Sequence, residues 1–360
     1  MTYNNFSSGN PGVIRSTNLS HDIEKILSET KHDKLFVLTD EHTAGLCFPL
    51  LSGIAAIKEA GRIVIPANDT NKTLENLSHI WKHLTENGAT RHSLLINLGG
   101  GMITDIGGFA AATFKRGIKY INIPTTLLGA VDAAVGGKTG INFEGFKNEI
   151  GAFYPAECVL ISSHFFSTLN RKDILSGFAE MLKHALIHSE TEWEKLLTFD
   201  IESIDYDWLN EAVFRSVSIK EAIVEKDPFE HNIRKALNLG HTIGHAFESF
   251  ALESEKAALH GYAVAWGLIA ELYISHKIYG FPKEKLQKTV KFIHKNYGAL
   301  FIACDDYEHL YKIMKHDKKN KHSTINFTLL ADIGNIKINQ SADKELVFQS
   351  LDFYRDSVGL

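Results

Sequence analysis

Three short stretches in the second half of the chain combine acidic, imidazole and ammonium groups at spacings that could do chemistry. Gly177-Phe178-Ala179-Glu180-Met181-Leu182-Lys183-His184 puts Glu180, Lys183 and His184 on one helix face, because residues three and four apart are neighbours there. Asn238-Leu239-Gly240-His241-Thr242-Ile243-Gly244-His245 sets His241 and His245 one turn apart, and Leu259-His260-Gly261 opens a further helix. Glu180, His241 and His260 together would make a two-histidine, one-carboxylate set. Such a set leaves a position open for water or a substrate oxygen, as a catalytic zinc requires. Plainer readings stand beside it. A chain with 18 histidines produces HxxxH pairs by accident, and Thr242 stands where a metalloprotease helix carries its general-base Glu. Flanked by Ala179, Met181 and Leu182, Glu180 should be buried and in need of a cation. That cation could be a metal or simply Lys183.

A second candidate lies in the first half. Asn97-Leu98-Gly99-Gly100-Gly101-Met102-Ile103-Thr104-Asp105 follows the apolar run Leu94-Leu95-Ile96 and precedes an Ala-rich helical stretch. Glycines at a strand-to-helix junction let the backbone approach a ligand, and the amides at the helix start favour an anion such as a pyrophosphate. A tight strand–helix turn without a ligand explains the same run.

The formal net charge of −5 over 360 residues argues against a general nucleic-acid binder or a protein held on a membrane surface. Basic residues that matter must be locally concentrated. Lys138 sits among glycines in Ala133-Ala134-Val135-Gly136-Gly137-Lys138-Thr139-Gly140, where a merely solvated lysine has little use, and Asp132 lies six residues earlier. Lys147-Asn148, Arg116, Lys220, Arg234 and Lys318-Lys319 complete a set that, if convergent, would recognise an anionic substrate such as a phosphorylated carboxylic acid. Three scattered cysteines, Cys47, Cys158 and Cys304, fit a reducing compartment in which all three are small buried hydrophobes. The N-terminus lacks a secretory pattern, and the apolar run from Ala257 to Ile274 contains His260 and Glu271, so it reads as a buried helix; a cytoplasmic location is expected.

Elements that could position these groups follow from periodicity. Strand-like runs at 34–39, 62–66, 94–97 and 119–123 alternate with helical stretches toward Glu59, at 73–84 and at 102–113, which implies a Rossmann-like parallel sheet with ligands at the carboxyl ends of its strands. Beyond residue 162 the pattern becomes helical, at 167–188, 208–225, 233–252, 260–279 and 283–297, with a hairpin expected around Gly334. The reading is an α/β domain over 1–162 followed by a mostly α-helical domain over 163–360, with an active site expected in the cleft between them.

Taken together, several of these segments resemble the 3-dehydroquinate synthase family. The densest are 99–105, Ile123-Pro124-Thr125-Thr126-Leu127-Leu128, Val131-Asp132-Ala133-Ala134-Val135-Gly136-Gly137-Lys138-Thr139 and Leu237-Asn238-Leu239-Gly240-His241-Thr242-Ile243-Gly244-His245-Ala246-Phe247-Glu248. The resemblance runs from about Phe36 to Gly334 with its motifs in order.

It implies a dehydroquinate synthase-like fold, NAD, and a divalent zinc or cobalt held by Glu180, His241 and His260. Asp40, Asp69, Lys72, Gly99, Gly100, Gly101, Asp105, Thr125 and Thr126 match the NAD contacts, with Lys138 and Lys147 near the cofactor. Asp132, Lys138, Asn148, Lys183, Lys220, Arg234, Asn238 and His245 match the substrate-binding and catalytic set. One of Lys318 and Lys319 should reach the substrate phosphate, and the residue matching Arg116 comes from a neighbouring subunit, implying a homodimer. The implied reaction converts 3-deoxy-D-arabino-heptulosonate 7-phosphate to 3-dehydroquinate and phosphate. Its rivals are another sugar phosphate cyclase, of valiolone or inosose synthase type, and a metal-dependent NAD alcohol or glycerol dehydrogenase. Two departures stand out: Asp69 replaces the usual Glu, and Thr104 replaces a usual Gly where it could restrict the turn.

Overall fold

The structure, a computed structural model, describes residues 12–144, 146–253, 257–316 and 325–359. The chain divides into two compact units, Met1–Asn170 with Tyr206–Val217, and Arg171–Asp205 with Ser218–Leu360.

The first unit contains strands β1 (Gly12–Arg15), β2 (Leu35–Asp40), β3 (Gly61–Ile65), β4 (Leu94–Gly99), β5 (Lys119–Pro124), β6 (Lys138–Phe143), β7 (Phe146–Phe153) and β8 (Cys158–Ile161). Its helices are α1 (Leu19–Glu29), α2 (Glu41–Leu46), α3 (Ala55–Lys58), α4 (Leu74–Glu86) and α5 (Gly101–Thr113). Six strands form one parallel sheet in the order β1-β8-β5-β4-β2-β3, and β6 and β7 form a separate antiparallel ribbon.

Both faces of the sheet are covered, which is why its inner strands read as continuous apolar runs. Alternation along each strand sorts the residues. Phe36, Leu38 and Leu95 join Leu77, Ile80 and Leu84 of α4 and Ile103 and Ile106 of α5 in one core. Val37, Leu94, Ile96 and Leu98 meet Ile23, Ile26 and Leu27 of α1 in the other. Strand order reverses between β2 and β4, so the carboxyl ends of those two strands flank the crevice where such sheets bind ligands. Asp40 ends β2, and Gly99 ends β4.

The second unit is built from α6 (Arg171–Leu186), α7 (Glu190–Leu197), the latter part of α8 (Tyr206–Lys226), α9 (His241–Glu253), α10 (His260–Tyr279), α11 (Lys283–Tyr297), α12 (Tyr307–His316) and α13 (Lys344–Val358), with a hairpin of β9 (Phe327–Asp332) and β10 (Asn335–Gln340). The apolar run from Ala257 leads into α10, which packs against α6, α9, α11, α13 and β9 and is buried on nearly every side.

Two expected helices are interrupted. Over 233–252 the structure has a 3₁₀ turn, Ile233–Asn238, then Gly240 at φ +78°, before α9 begins at His241. A left-handed residue cannot propagate a helix, and glycine adopts it without Cβ strain. Over 167–188 a 3₁₀ turn, Ser163–Thr168, precedes α6.

Candidate metal centre and cofactor turn

In the second unit three helices deliver the expected metal set. Glu180 lies mid-way along α6, while His241 and His260 are the first residues of α9 and α10. Glu180 Oε1 is 3.5 Å from His241 Nε2 and 3.5 Å from His260 Nε2. It is fully buried and makes no hydrogen bond.

The outer nitrogen of each ring is engaged. His241 Nδ1 lies 3.1 Å from the Leu239 carbonyl and His260 Nδ1 lies 3.1 Å from Glu248 Oε2. Both partners only accept, so each Nδ1 carries the proton, and in the neutral ring Nε2 presents a lone pair toward Glu180. Two lone pairs facing a buried carboxylate oxygen need positive charge between them. Atoms each about 2.1 Å from a tetrahedral zinc lie roughly 3.4 Å apart, close to both separations observed here. The donor set therefore fits a divalent ion.

The electrostatics agree in direction. Burial would raise the Glu180 carboxyl, but the Lys183 ammonium and the His241 and His260 imidazoles outweigh it and hold the group well below its usual value. Burial would lower His260, but the Glu248 and Glu180 carboxylates outweigh it and push the imidazole up to about 10. Lys183, 1 % exposed, donates to Glu180 Oε2, so the plain ion pair coexists with the metal-like arrangement at Oε1.

His245 joins the cluster. Ligand atoms of His241, His245 and His260 lie within 4.8 Å of one another, with ring centroids 5.3 to 5.8 Å apart. Arg234 and Lys220 are buried too. Asp227 builds the loop before Arg234, accepting from the backbone of His231, Asn232 and Arg234 at 2.9, 2.6 and 3.0 Å, while the guanidinium donates to the Pro228 carbonyl. Asn238 Nδ2 donates to Glu230 Oε1 at 2.8 Å. Glu230 was not among the candidates from sequence. Its left-handed backbone, φ +59°, marks a strained position in the same loop, and no periodicity in the sequence points to it.

In the first unit Gly99, Gly100 and Gly101 carry the chain from β4 into α5. The N-cap, Gly100, offers no side-chain cap, so the amides of the first turn are open to an anion. A Cβ on Gly100 would come within 3.0 Å of Thr126 Cγ2, and one on Gly101 within 3.1 Å of Ala133 Cβ. Glycine at both positions lets the turn pack closely against Thr126 and Ala133.

Beside it, buried Lys72 bonds Asp105 Oδ2 at 3.0 Å and pairs with Asp69 Oδ1 at 3.1 Å, and Lys147 reaches Asp69 Oδ2 at 3.7 Å. Asn142 on β6 ties this loop to the ribbon, bonding the Asp69 and Lys72 carbonyls, while the Asn148 amide donates to the Asn142 side chain. Asp40 caps α2 by accepting from the Thr43 amide at 2.8 Å. Thr125 is buried, and the Thr126 hydroxyl accepts from Gly129 N. Asp132 lies in a π-helical turn, Gly129–Ala133.

Several expectations are corrected. Lys138 is exposed at the start of β6 instead of enclosed among glycines. Thr104 does not restrict the glycine turn, since position 104 is already helical and its hydroxyl bonds Gly101 O. Cys47 and Cys158 are buried, but Cys304 is exposed. Lys318 and Lys319 lie outside the described residues.

Residues 62–176 match the family described as 3-dehydroquinate synthase N-terminal, and 177–320 match 3-dehydroquinate synthase C-terminal. A 3-dehydroquinate synthase of Parabacteroides distasonis is 55 % identical over 348 residues, covering 97 % of this chain and 99 % of that protein. One from Streptococcus pyogenes serotype M18 is 36 % identical over 91 % of each chain. Among solved structures, 2-deoxy-scyllo-inosose synthase complexed with carbaglucose-6-phosphate, NAD+ and Co2+ superposes with a TM-score of 0.82 at 21 % identity, covering 94 % of this chain and 95 % of the other. A 2-epi-5-epi-valiolone synthase of Streptomyces hygroscopicus with NAD+ and Zn2+ bound gives 0.81 at 21 % identity over 99 % of each.

Proposed function

The chain belongs to the 3-dehydroquinate synthase family, and from that premise we propose that it converts 3-deoxy-D-arabino-heptulosonate 7-phosphate to 3-dehydroquinate and phosphate. The assignment makes it a phosphate-eliminating carbon–oxygen lyase of aromatic biosynthesis. The observation that carries it is the 55 % identity to a 3-dehydroquinate synthase across nearly the whole chain, against 21 % for the inosose and valiolone synthases and 14 % for a glycerol dehydrogenase of similar fold.

In this reading the first unit holds NAD through the Gly99–Gly101 turn, Asp40, Asp69, Lys72, Asp105, Thr125, Thr126 and Lys147. Bound there, NAD supplies a transient oxidation that is reversed within the same turnover. Glu180, His241 and His260 hold zinc or cobalt, which supplies Lewis-acid stabilisation of charge on a substrate oxygen.

The chain's own groups do the rest. Arg234, whose guanidinium suits bidentate contacts, holds the phosphate, together with Lys318 or Lys319 and Arg116 of a partner subunit. Lys183 and Lys220, both buried, place positive charge where a carbanion develops and need no reorganisation to do so. His245 moves the proton of the hydroxyl being oxidised, an imidazole being suited to transfer near neutral pH. Asp132, Lys138, Asn148 and Asn238 orient the substrate hydroxyls and carboxylate, so that much of the rate comes from fixed geometry.

The test is incubation with the heptulosonate phosphate, NAD and zinc. One phosphate should appear per substrate consumed, with no accumulation of NADH. Stoichiometric NADH would indicate a dehydrogenase, and turnover of a different phosphorylated sugar would indicate another cyclase. No phosphate from protein that binds both NAD and metal would overturn the proposal.

A homodimer in which Arg116 serves the neighbouring subunit is part of the reading. Its support is a strained, exposed turn, with Lys115, Arg116 and Gly117 at φ +50°, +69° and +115°. Mixing Arg116→Ala with Lys183→Ala chains should restore activity that neither has alone. Among the described residues no helix is long and apolar enough to cross a membrane, which is compatible with the proposed cytoplasmic location.

A further inference from the structure

Helix α9 carries three groups in one stripe, His241, His245 and Glu248, at positions i, i+4 and i+7. The proposed chemistry uses the first two. Glu248 is 6 % exposed, and its Oε2 lies 3.1 Å from His260 Nδ1 on the neighbouring helix. A buried carboxylate costs stability unless something charged or hydrogen-bonded answers it, and here the answer includes a ring nitrogen of a proposed metal ligand.

We propose that Glu248 is a positioning residue for the metal centre, which fixes His260 by accepting its Nδ1 proton and strengthens Nε2 as a donor toward the site shared with Glu180 and His241. The proposal rests on the metal reading of that centre.

Three features of the geometry support it. The carboxylate selects the tautomer, because an acceptor at Nδ1 leaves Nε2 as the lone-pair nitrogen. It also restrains rotation of a ring that is itself 26 % exposed. Lastly, the two histidines are inequivalent. His241 Nδ1 meets the neutral carbonyl of Leu239, whereas His260 Nδ1 meets a full negative charge, so His260 is the more strongly polarised donor. Glu248, two turns into α9, thereby couples that helix to the first residue of α10.

The experiment compares wild type, Glu248→Gln and Glu248→Ala as metal-free and metal-loaded protein. Zinc affinity is read by competition with a chromophoric chelator, the ligand field by the visible spectrum of the cobalt-loaded form, and folding by thermal melting of the metal-free form. Gln keeps an oxygen acceptor and removes the charge, so a roughly tenfold loss of zinc affinity is expected. Ala removes both and should lose up to about 100-fold, with a shifted cobalt spectrum. The metal-free Gln variant should still melt cooperatively, below wild type only by the lost charge pairing of Glu248 with His260.

Wild-type affinity and an unchanged cobalt spectrum in the Gln variant would overturn the proposal. So would an Ala variant that melts lower but binds metal as wild type does, which would mark Glu248 as a packing residue. If Ala fails to fold, the Gln variant decides alone. Wild-type protein that binds no zinc or cobalt would instead remove the metal reading beneath it.

Discussion

Gly261 follows His260 and packs directly on the helix that carries Glu180. A Cβ built on it would stand 1.9 Å from the Ser176 carbonyl oxygen, 2.5 Å from its carbon and 2.6 Å from Ser176 Cα, all backbone atoms. No side-chain rotation relieves such a clash. Gly261→Ala therefore forces α10 and α6 apart by at least about 1 Å, and Ser176 is one turn before Glu180 on α6. Overpacking of this kind costs about 1–3 kcal/mol or more. At ~2–4 °C per kcal/mol for a domain of this size, the metal-free form should melt about 5 °C or more below wild type.

Metal binding should suffer disproportionately, because ligand distances tolerate about 0.2 Å and the shift is several times that. A loss of zinc affinity beyond about 100-fold is expected, exceeding what removal of an outer hydrogen bond brings. Calorimetry with and without zinc, plus metal content after dialysis, reads both quantities. Gly45→Ala serves as the control, since Gly45 lies inside α2 with nothing within 4 Å of a new Cβ, and it should be neutral or slightly stabilising. Wild-type melting and wild-type zinc affinity in Gly261→Ala would refute the claim that backbone contact between α6 and α10 sets the metal geometry.

Lys72→Met should destabilise the first unit by about 1–3 kcal/mol in urea unfolding, because it leaves half-buried Asp105 without its cation. Adding Asp105→Asn should recover much of the loss while NAD affinity, read by calorimetry, stays low. At Asp227 burial favours the neutral acid, but backbone donors from Asn232, Arg234 and His231 outweigh it and lower the pKa. Its stabilisation is therefore complete above the unfolded value of about 3.9 and is lost as pH falls through the lower folded value. Asp227→Asn should flatten that acid limb of the stability profile. Stripping metal with a chelator should abolish phosphate release and lower the melting temperature, and zinc or cobalt should restore both. Glu180→Gln protein should not respond to either ion.

What the sequence made legible is what local periodicity and residue type encode. The β4–α5 turn announced itself by three glycines after an apolar run, and His241 and His245 by a four-residue spacing. The interruptions between 233 and 241 were not legible, because Ile233, Ala236 and Leu237 keep a helix-like apolar rhythm through a segment that Gly240 turns left-handed. The β6–β7 ribbon was hidden for the opposite reason. Seven of the eight β7 residues are exposed, so no alternation of polar and apolar side chains marks the strand. Glu230 and Glu248 lay beyond reach because their importance comes from partners, Asn238 and His260, brought to them by tertiary packing. Likewise, only contacts reveal that Tyr206–Val217 belongs with the first unit while the rest of α8 belongs with the second.

The second unit concentrates charge that folding alone would not favour. Glu180, Lys183 and Glu271 are buried to within about one per cent, and Glu248 nearly so. Buried ions seldom add net stability, so their persistence points to what they position. Their arrangement has a consistent logic. His241 and His260 each begin a helix, so both sit at the positive end of a helix dipole. A divalent ion there would meet that same positive potential. Acidic groups offset it: Glu271 accepts from Gly240 N and Ile243 N at 2.7 and 2.9 Å at the start of α9, Glu248 backs His260, and Glu180 faces both rings. The carboxylates keep the site attractive to a cation, and at His260 they push the imidazole up to about 10, so that a metal entering there displaces a proton from the ring.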